Sequence, residues 1–150
     1  MTISKTVIKA VKSSQSILKQ NALEVTTKMY EILFNKNPEL KTLFSSADQP
    51  MKLAQAIIAY STHIEDLNIL RPVLYSISEK HVAANIKSKH YLLVAEALLE
   101  AMEIILTKEV FNNELKKAWA EAYYNLAAIL IQTEQKLYIK LDNKEAVNTN

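Results

Sequence analysis

Apolar side chains recur along this chain at three- and four-residue steps almost from end to end, the spacing that gathers them on one face of a helix. Ile8, Val11, Ile17 and Leu18 predict a first helix over about Ser4 to Lys19. Thr26, Tyr30, Leu33 and Phe34 share a stripe in a second, from about Ala22 to Phe34. Asn37-Pro38-Glu39 reads as a helix start, with a capping amide, Pro in the first turn and an acid facing the dipole, and opens a short helix ending near Phe44. Ser45 to Pro50 is a turn, and the helix that Pro50 opens should carry Leu53, Ala56, Ile57, Tyr60 and Ile64 inward. Arg71-Pro72 opens another, in which Val73, Leu74 and Ile77 precede His81 on the same face. Ser88 is the expected cap of a helix from Lys89 to Leu106 with Leu92, Ala95, Leu98, Leu99, Met102, Ile105 and Leu106 in its stripe. After Asn112-Asn113, the positions Leu115, Trp119, Ala122, Tyr123, Leu126, Ile129 and Leu130 mark a long last helix running towards Tyr138. The pattern therefore predicts one helical domain over residues 1–140 and a polar tail over 141–150 that frays from Asp142.

Composition turns a helical pattern into an all-α expectation. The chain has no Gly, so it lacks the tight turns that sheets need and the phosphate-cradling loops of nucleotide sites. It has no Cys, which removes disulfides, thiolate catalysis, iron–sulfur clusters and covalent haem attachment. A net charge of +2, with lysines scattered among glutamates, argues against a nucleic-acid partner. Lys5, Lys9, Lys12 and Lys19 stand without an acid near the start and superficially resemble a transit peptide, but the arginines of such peptides are missing. No run approaches the roughly 18 apolar residues of a membrane span, so no transmembrane segment and a cytoplasmic location are expected.

His81 is the residue whose chemistry needs an account, because an imidazole on an apolar face must find a partner for each ring nitrogen. Taken alone, it is a core histidine with a hydrogen bond; Tyr30 is a core phenol bonded to a backbone carbonyl; Gln49 is a cap or a solvated edge; His63 is a surface residue. Seven or so unequal helices, with short ones flanking a buried His, suit a fold that wraps helices at steep angles round a cofactor pocket. The residue types suit haem, which takes one neutral imidazole, an apolar and aromatic wall and a polar donor opposite.

Tyr30, Asn37-Pro38-Glu39-Leu40, Phe44, Gln49-Pro50, Glu79-Lys80-His81, His90-Tyr91 and Lys117-Ala118-Trp119-Ala120-Glu121-Ala122-Tyr123 carry a more specific signal. With Ile131-Gln132-Thr133-Glu134 and Lys136-Leu137-Tyr138, their order and spacing over residues 5–138 resemble the bacterial haemoglobins of the flavohaemoglobin family. The resemblance implies a globin fold of about seven helices around non-covalent haem b, with His81 as the proximal iron ligand. It implies that Tyr91 and Glu134 hold the other nitrogen of His81, raising its basicity and pushing electron density onto iron. On the distal side it matches Tyr30 to a phenol that bonds the bound ligand, Gln49 to its support, Phe44 to the aromatic on the haem face and Leu53 to an apolar distal residue.

The chain departs from the family pattern at two points. It stops after the last matched helix, so the resemblance places it with single-domain members that need an external electron donor or reductase. Only Ser45, Ser46, Ala47 and Asp48 separate Phe44 from Gln49, a shorter connection than the family's. The implied function is reversible O₂ binding or transport, as a monomer or homodimer, with CO and NO as further ligands. Oxidation of NO to nitrate would then use Tyr30, Tyr91 and Glu134 in catalysis. The alternatives are a haem-based gas or redox sensor, and a non-haem helical interaction module in which these side chains are unrelated core residues.

Overall fold

The computed structural model describes residues 3–148; the ends of the expected domain and tail, residues 1–2 and 149–150, lie outside them. Helix α1 (Lys5–Lys36) runs unbroken for 32 residues where two helices were expected. The supposed break at Gln20-Asn21 is only a polar stretch of helix surface: Asn21 Nδ2 donates to the Ile17 carbonyl at 2.8 Å, inside the helix, and Ala22 is buried. Ser4 caps the start, its hydroxyl accepting from the Val7 N–H at 3.2 Å. Asn37 does not cap the next turn as expected; its amide donates back to the Leu33 carbonyl at 3.4 Å, and Pro38–Thr42 is a 3-10 helix.

Helix α2 (Gln49–Thr62) opens with Pro50 in its first turn, as the pattern indicated, and leads through the 3-10 turn Leu67–Leu70 into α3 (Arg71–Ala83). Helices α4 (Ser88–Val110) and α5 (Asn113–Asn148) complete the order. Among the described residues this makes five α-helices, two 3-10 helices and no strand, the all-α result expected of a chain without glycine. No described helix is long and apolar enough to cross a membrane.

The core forms where α1 packs on α2, α4 and α5. Val11, Leu18, Val25, Met29 and Leu33 of α1 meet Ala97, Ala101 and Met102 of α4 and Ala122 of α5. Three polar ties run through it. Trp119 Nε1 donates to Ser14 Oγ at 3.0 Å, joining α5 to α1. Tyr60 Oη donates to the Ala122 carbonyl at 2.9 Å, joining α2 to α5. Thr26 Oγ1 donates to the Pro50 carbonyl at 2.7 Å, fixing the start of α2 on α1. Each such bond contributes about 0.5–1.5 kcal/mol net, and more is lost if one partner is left behind alone.

Several expected details change. Leu92 points outward, 52% exposed, because the buried face of α4 passes through Tyr91, Ala95, Leu98 and Met102 instead. His63 is half-buried at the end of α2 rather than on the open surface. Ser88 is the first helical residue of α4 and Lys87 occupies the cap position. Helix α4 continues past Leu106 to Val110, with Thr107 out of helical geometry at φ 71°. Helix α5 does not fray after Leu141 but stays helical to Asn148, with residues 141–147 exposed.

The corner between α3 and α4 brings the end of one helix that carries His81 close to the start of the next. Asn85 turns it at φ 64°, the left-handed region that Gly or Asn tolerates, and this chain has only the second to offer. The Ile86 N–H donates to the carbonyl of His81 at 2.9 Å, and Tyr138 Oη reaches from α5 to the Ile86 carbonyl at 2.7 Å.

Candidate functional site

The five helices line an apolar cavity of about 130 Å³. Phe44, Leu53, Leu70, Ile77, Val94 and Leu126 supply apolar wall. A wider cleft lined by Gln49, Lys52, Gln55, Ser76 and Lys80 shares Tyr30, Leu53, Val73 and Ile77 with it, so the cavity opens between α2 and α3. Val73 was expected to face inward with His81; it borders the cavity, yet is 49% exposed because it stands at this mouth.

His81, Tyr91 and Glu134, far apart in sequence, meet at one point. Tyr91 Oη donates to Glu134 Oε2 at 2.7 Å, while His81 Nδ1 lies 3.0 Å from Tyr91 Oη and 3.1 Å from Glu134 Oε2. A phenol has one proton and a carboxylate has none to give, so the remaining donor must be His81 Nδ1–H. Burial, and then the bond to Glu134 and its charge, push the Tyr91 phenol well above the usual range and keep that proton in place. In the neutral ring this arrangement selects one tautomer, with the lone pair on Nε2. Nε2 has no protein partner among the described residues, and His81 lines the cavity. Glu134 is 3% exposed, a buried carboxylate satisfied by two donors.

Tyr30 borders the same cavity from α1, with ring centroids 5.7 Å from Phe34 and 5.8 Å from Phe44. Its hydroxyl does not reach a backbone carbonyl, the partner expected of an ordinary core tyrosine, and finds no acceptor among the described residues. Burial pushes its pKa up to about 12, so it stays a neutral O–H donor. Leu53 lines the cavity beside Phe44. Gln49, the first residue of α2, is half-buried and borders the outer cleft with Tyr30, not the cavity itself. The short connection after Phe44 thus leaves Gln49 at the mouth.

Three cavity residues have roles that the sequence pattern does not assign. Tyr123 Oη donates to the Tyr91 carbonyl at 2.7 Å and steadies the backbone that carries the phenol. Ile86 closes the floor of the corner, buried. His90, buried and cavity-lining, accepts the Lys87 N–H on Nδ1 at 2.9 Å. Helical periodicity puts Tyr123 on the right face, but no local pattern announces partners on other helices.

No group of three or more His, Cys, Asp or Glu is placed to hold a metal ion among the described residues. An apolar cavity offering one imidazole lone pair therefore fits a metal that arrives with its own ring of donors, as in haem, rather than a bare ion. Helices wrapped round an apolar pocket with one poised imidazole define a globin. The chain belongs to the globin family, whose model matches residues 27–130.

An uncharacterised globin-like protein of Aquifex aeolicus is 46% identical over 138 residues, covering 91% of this chain and 97% of that one. A flavohemoprotein of Bacillus cereus is 36% identical over 150 residues, covering 95% of this chain but 36% of its own length, so this chain spans about a third of the flavohemoproteins it matches. Among solved structures, an engineered carbene transferase from Rhodothermus marinus, provisionally assigned as a nitric oxide dioxygenase, superposes with a TM-score of 0.91 at 30% identity over 94% of this chain and 99% of that one. A bacterial globin from Campylobacter jejuni gives 0.82 at 33% identity over 90% and 99%. Fold and kinship together imply a haem-binding pocket.

Proposed function

We propose that this globin holds haem b non-covalently through His81 Nε2 and binds O₂ reversibly, with Tyr30 donating to the bound ligand. The observation that carries the reading is the division of polar groups in the cavity. The Nδ1 side of His81 is fully engaged by Tyr91 and Glu134, while His81 Nε2 and the Tyr30 hydroxyl are left for something the protein does not supply. Haem would supply a ferrous iron able to take O₂, CO or NO. Phe44 and Leu53 would wall the group, and the mouth between α2 and α3 would let small ligands pass.

A second use is favoured by the carboxylate behind His81, which makes the imidazole a stronger electron donor than a histidine bonded to a carbonyl would be. In this use NO and O₂, with one electron from an external donor or reductase, yield nitrate; Tyr30, Tyr91 and Glu134 tune the site. The flavohemoprotein relatives and the Rhodothermus marinus assignment support it.

Reconstitution with haem should give a Soret band and one haem per chain, and His81→Ala should abolish both. No other histidine can substitute, because His63 is outside the cavity and His90 spends its Nδ1 on Lys87. An unchanged ferrous–CO spectrum and haem stoichiometry in His81→Ala would sink the assignment of the iron ligand. Absence of a Soret band in the parent would favour a non-haem helical module.

A further inference from the structure

The first turn of α4 is closed in an unusual way. Lys87 holds the cap position, and an ammonium side chain cannot accept a hydrogen bond from the free N–H groups of a helix start. The bond is made instead from the third helical position, where His90 reaches back and accepts the Lys87 N–H on Nδ1 at 2.9 Å. This is half of a capping box, with imidazole in the place usually taken by Glu or Gln. Its location matters more than its form. Tyr91 is the next residue, and Lys87 follows Ile86, whose N–H holds the His81 carbonyl.

We infer that His90 is a positioning residue for the proximal imidazole: as a neutral ring it closes the first turn of α4 and so keeps the Tyr91 phenol at His81 and Glu134. The inference rests on haem bound through His81. An imidazolium carries N–H on both nitrogens and has no acceptor for Lys87. Protonation therefore removes the cap and frees the turn that bears Tyr91. Burial, then the charges of Lys89 and Lys87, hold His90 below its ordinary value of 6.5. From the elements packed around it, the titratable groups bordering the same cavity are His81 on α3, Tyr91 on α4, Tyr30 on α1, Tyr60 on α2 and Tyr123 on α5. The tyrosines whose shifts are resolved all move upward and stay neutral in this range. The sign is then fixed: His90's folded pKa is depressed, so the cap is intact above the unfolded value and is lost as pH falls through the folded one.

The test is the iron–histidine stretch of the ferrous holoprotein, read by resonance Raman from pH 8 down to the onset of acid unfolding, in the parent, His90→Leu and His90→Gln. The parent frequency should fall by several wavenumbers as the pH drops below His90's pKa. His90→Leu should show the low frequency throughout. His90→Gln, whose side-chain oxygen can accept the same N–H without titrating, should keep the high frequency throughout. Exchange of the Lys87 amide should quicken roughly tenfold in His90→Leu and recover in His90→Gln, the usual scale of a lost helix cap. If His90→Leu does not fold, the parent and His90→Gln decide alone, since an unaltered pH profile in His90→Gln assigns the titration to another group and overturns the role. A flat frequency in a haem-loaded parent also overturns it while leaving the haem reading intact. A parent with no Soret band removes the haem reading itself.

Discussion

Tyr30 and Tyr91 are both buried phenols on one cavity, and their hydroxyls are used in opposite ways. The Tyr91 proton is committed to Glu134, whereas the Tyr30 proton is uncommitted and faces space a ligand would fill. Bound O₂ carries partial negative charge, and a hydrogen bond to a charged acceptor contributes about 1.5–3 kcal/mol, roughly ten- to a hundredfold in equilibrium. Tyr30→Phe should therefore speed O₂ release by that factor in stopped flow, with CO release changing far less. Gln49→Leu should change O₂ release less than Tyr30→Phe, because Gln49 borders the mouth; the reverse order would exchange the two roles. On the other side, Glu134→Gln replaces the carboxylate that receives His81 Nδ1–H with a neutral amide. The ferrous iron–histidine stretch should drop in Glu134→Gln and in Tyr91→Phe at neutral pH. No change in either would mean that these side chains only pack.

At the scale of helices, the ties that set the angles between elements are single buried bonds. Ser14→Ala would leave the Trp119 indole N–H buried without an acceptor, a cost of about 1–3 kcal/mol beyond the loss of a bond between α1 and α5. Urea unfolding should show it as a lower midpoint with unchanged slope. Such ties also explain how far the sequence could be read. The existence of each helix, the proline starts and the inward face of α5 come from local periodicity and turn chemistry. His81, Tyr91 and Glu134 could be named together only through the family resemblance, since nothing in their own segments says that they touch. The joint between Lys19 and Ala22 was misplaced because polarity alone suggested a break where neither Gly nor Pro forces one. The partners of Ser14, Tyr123 and His90 are not legible for the converse reason: they are on other helices, or in a cap completed by an unconventional side chain.

Across the whole molecule, α5 connects the core to the site. Trp119 anchors it to α1, Ala122 receives Tyr60, Tyr123 steadies Tyr91, and Glu134 serves His81. Because the helix runs without interruption from Asn113 to Asn148, these groups share one rigid angular phase, like cams on a shaft. Adding a single residue to an α-helix turns everything beyond it by about 100° and advances it by about 1.5 Å. An alanine inserted between Leu126 and Ala127 would leave Trp119, Ala122 and Tyr123 in time but swing Glu134 away from His81. Haem retention and melting temperature should both fall. The same insertion after Leu141, where the helix is exposed and no longer engaged with the cavity, should leave both unchanged. The place of Glu134 behind His81 is thus timed by a count of residues along a helix most of which never touches the cavity.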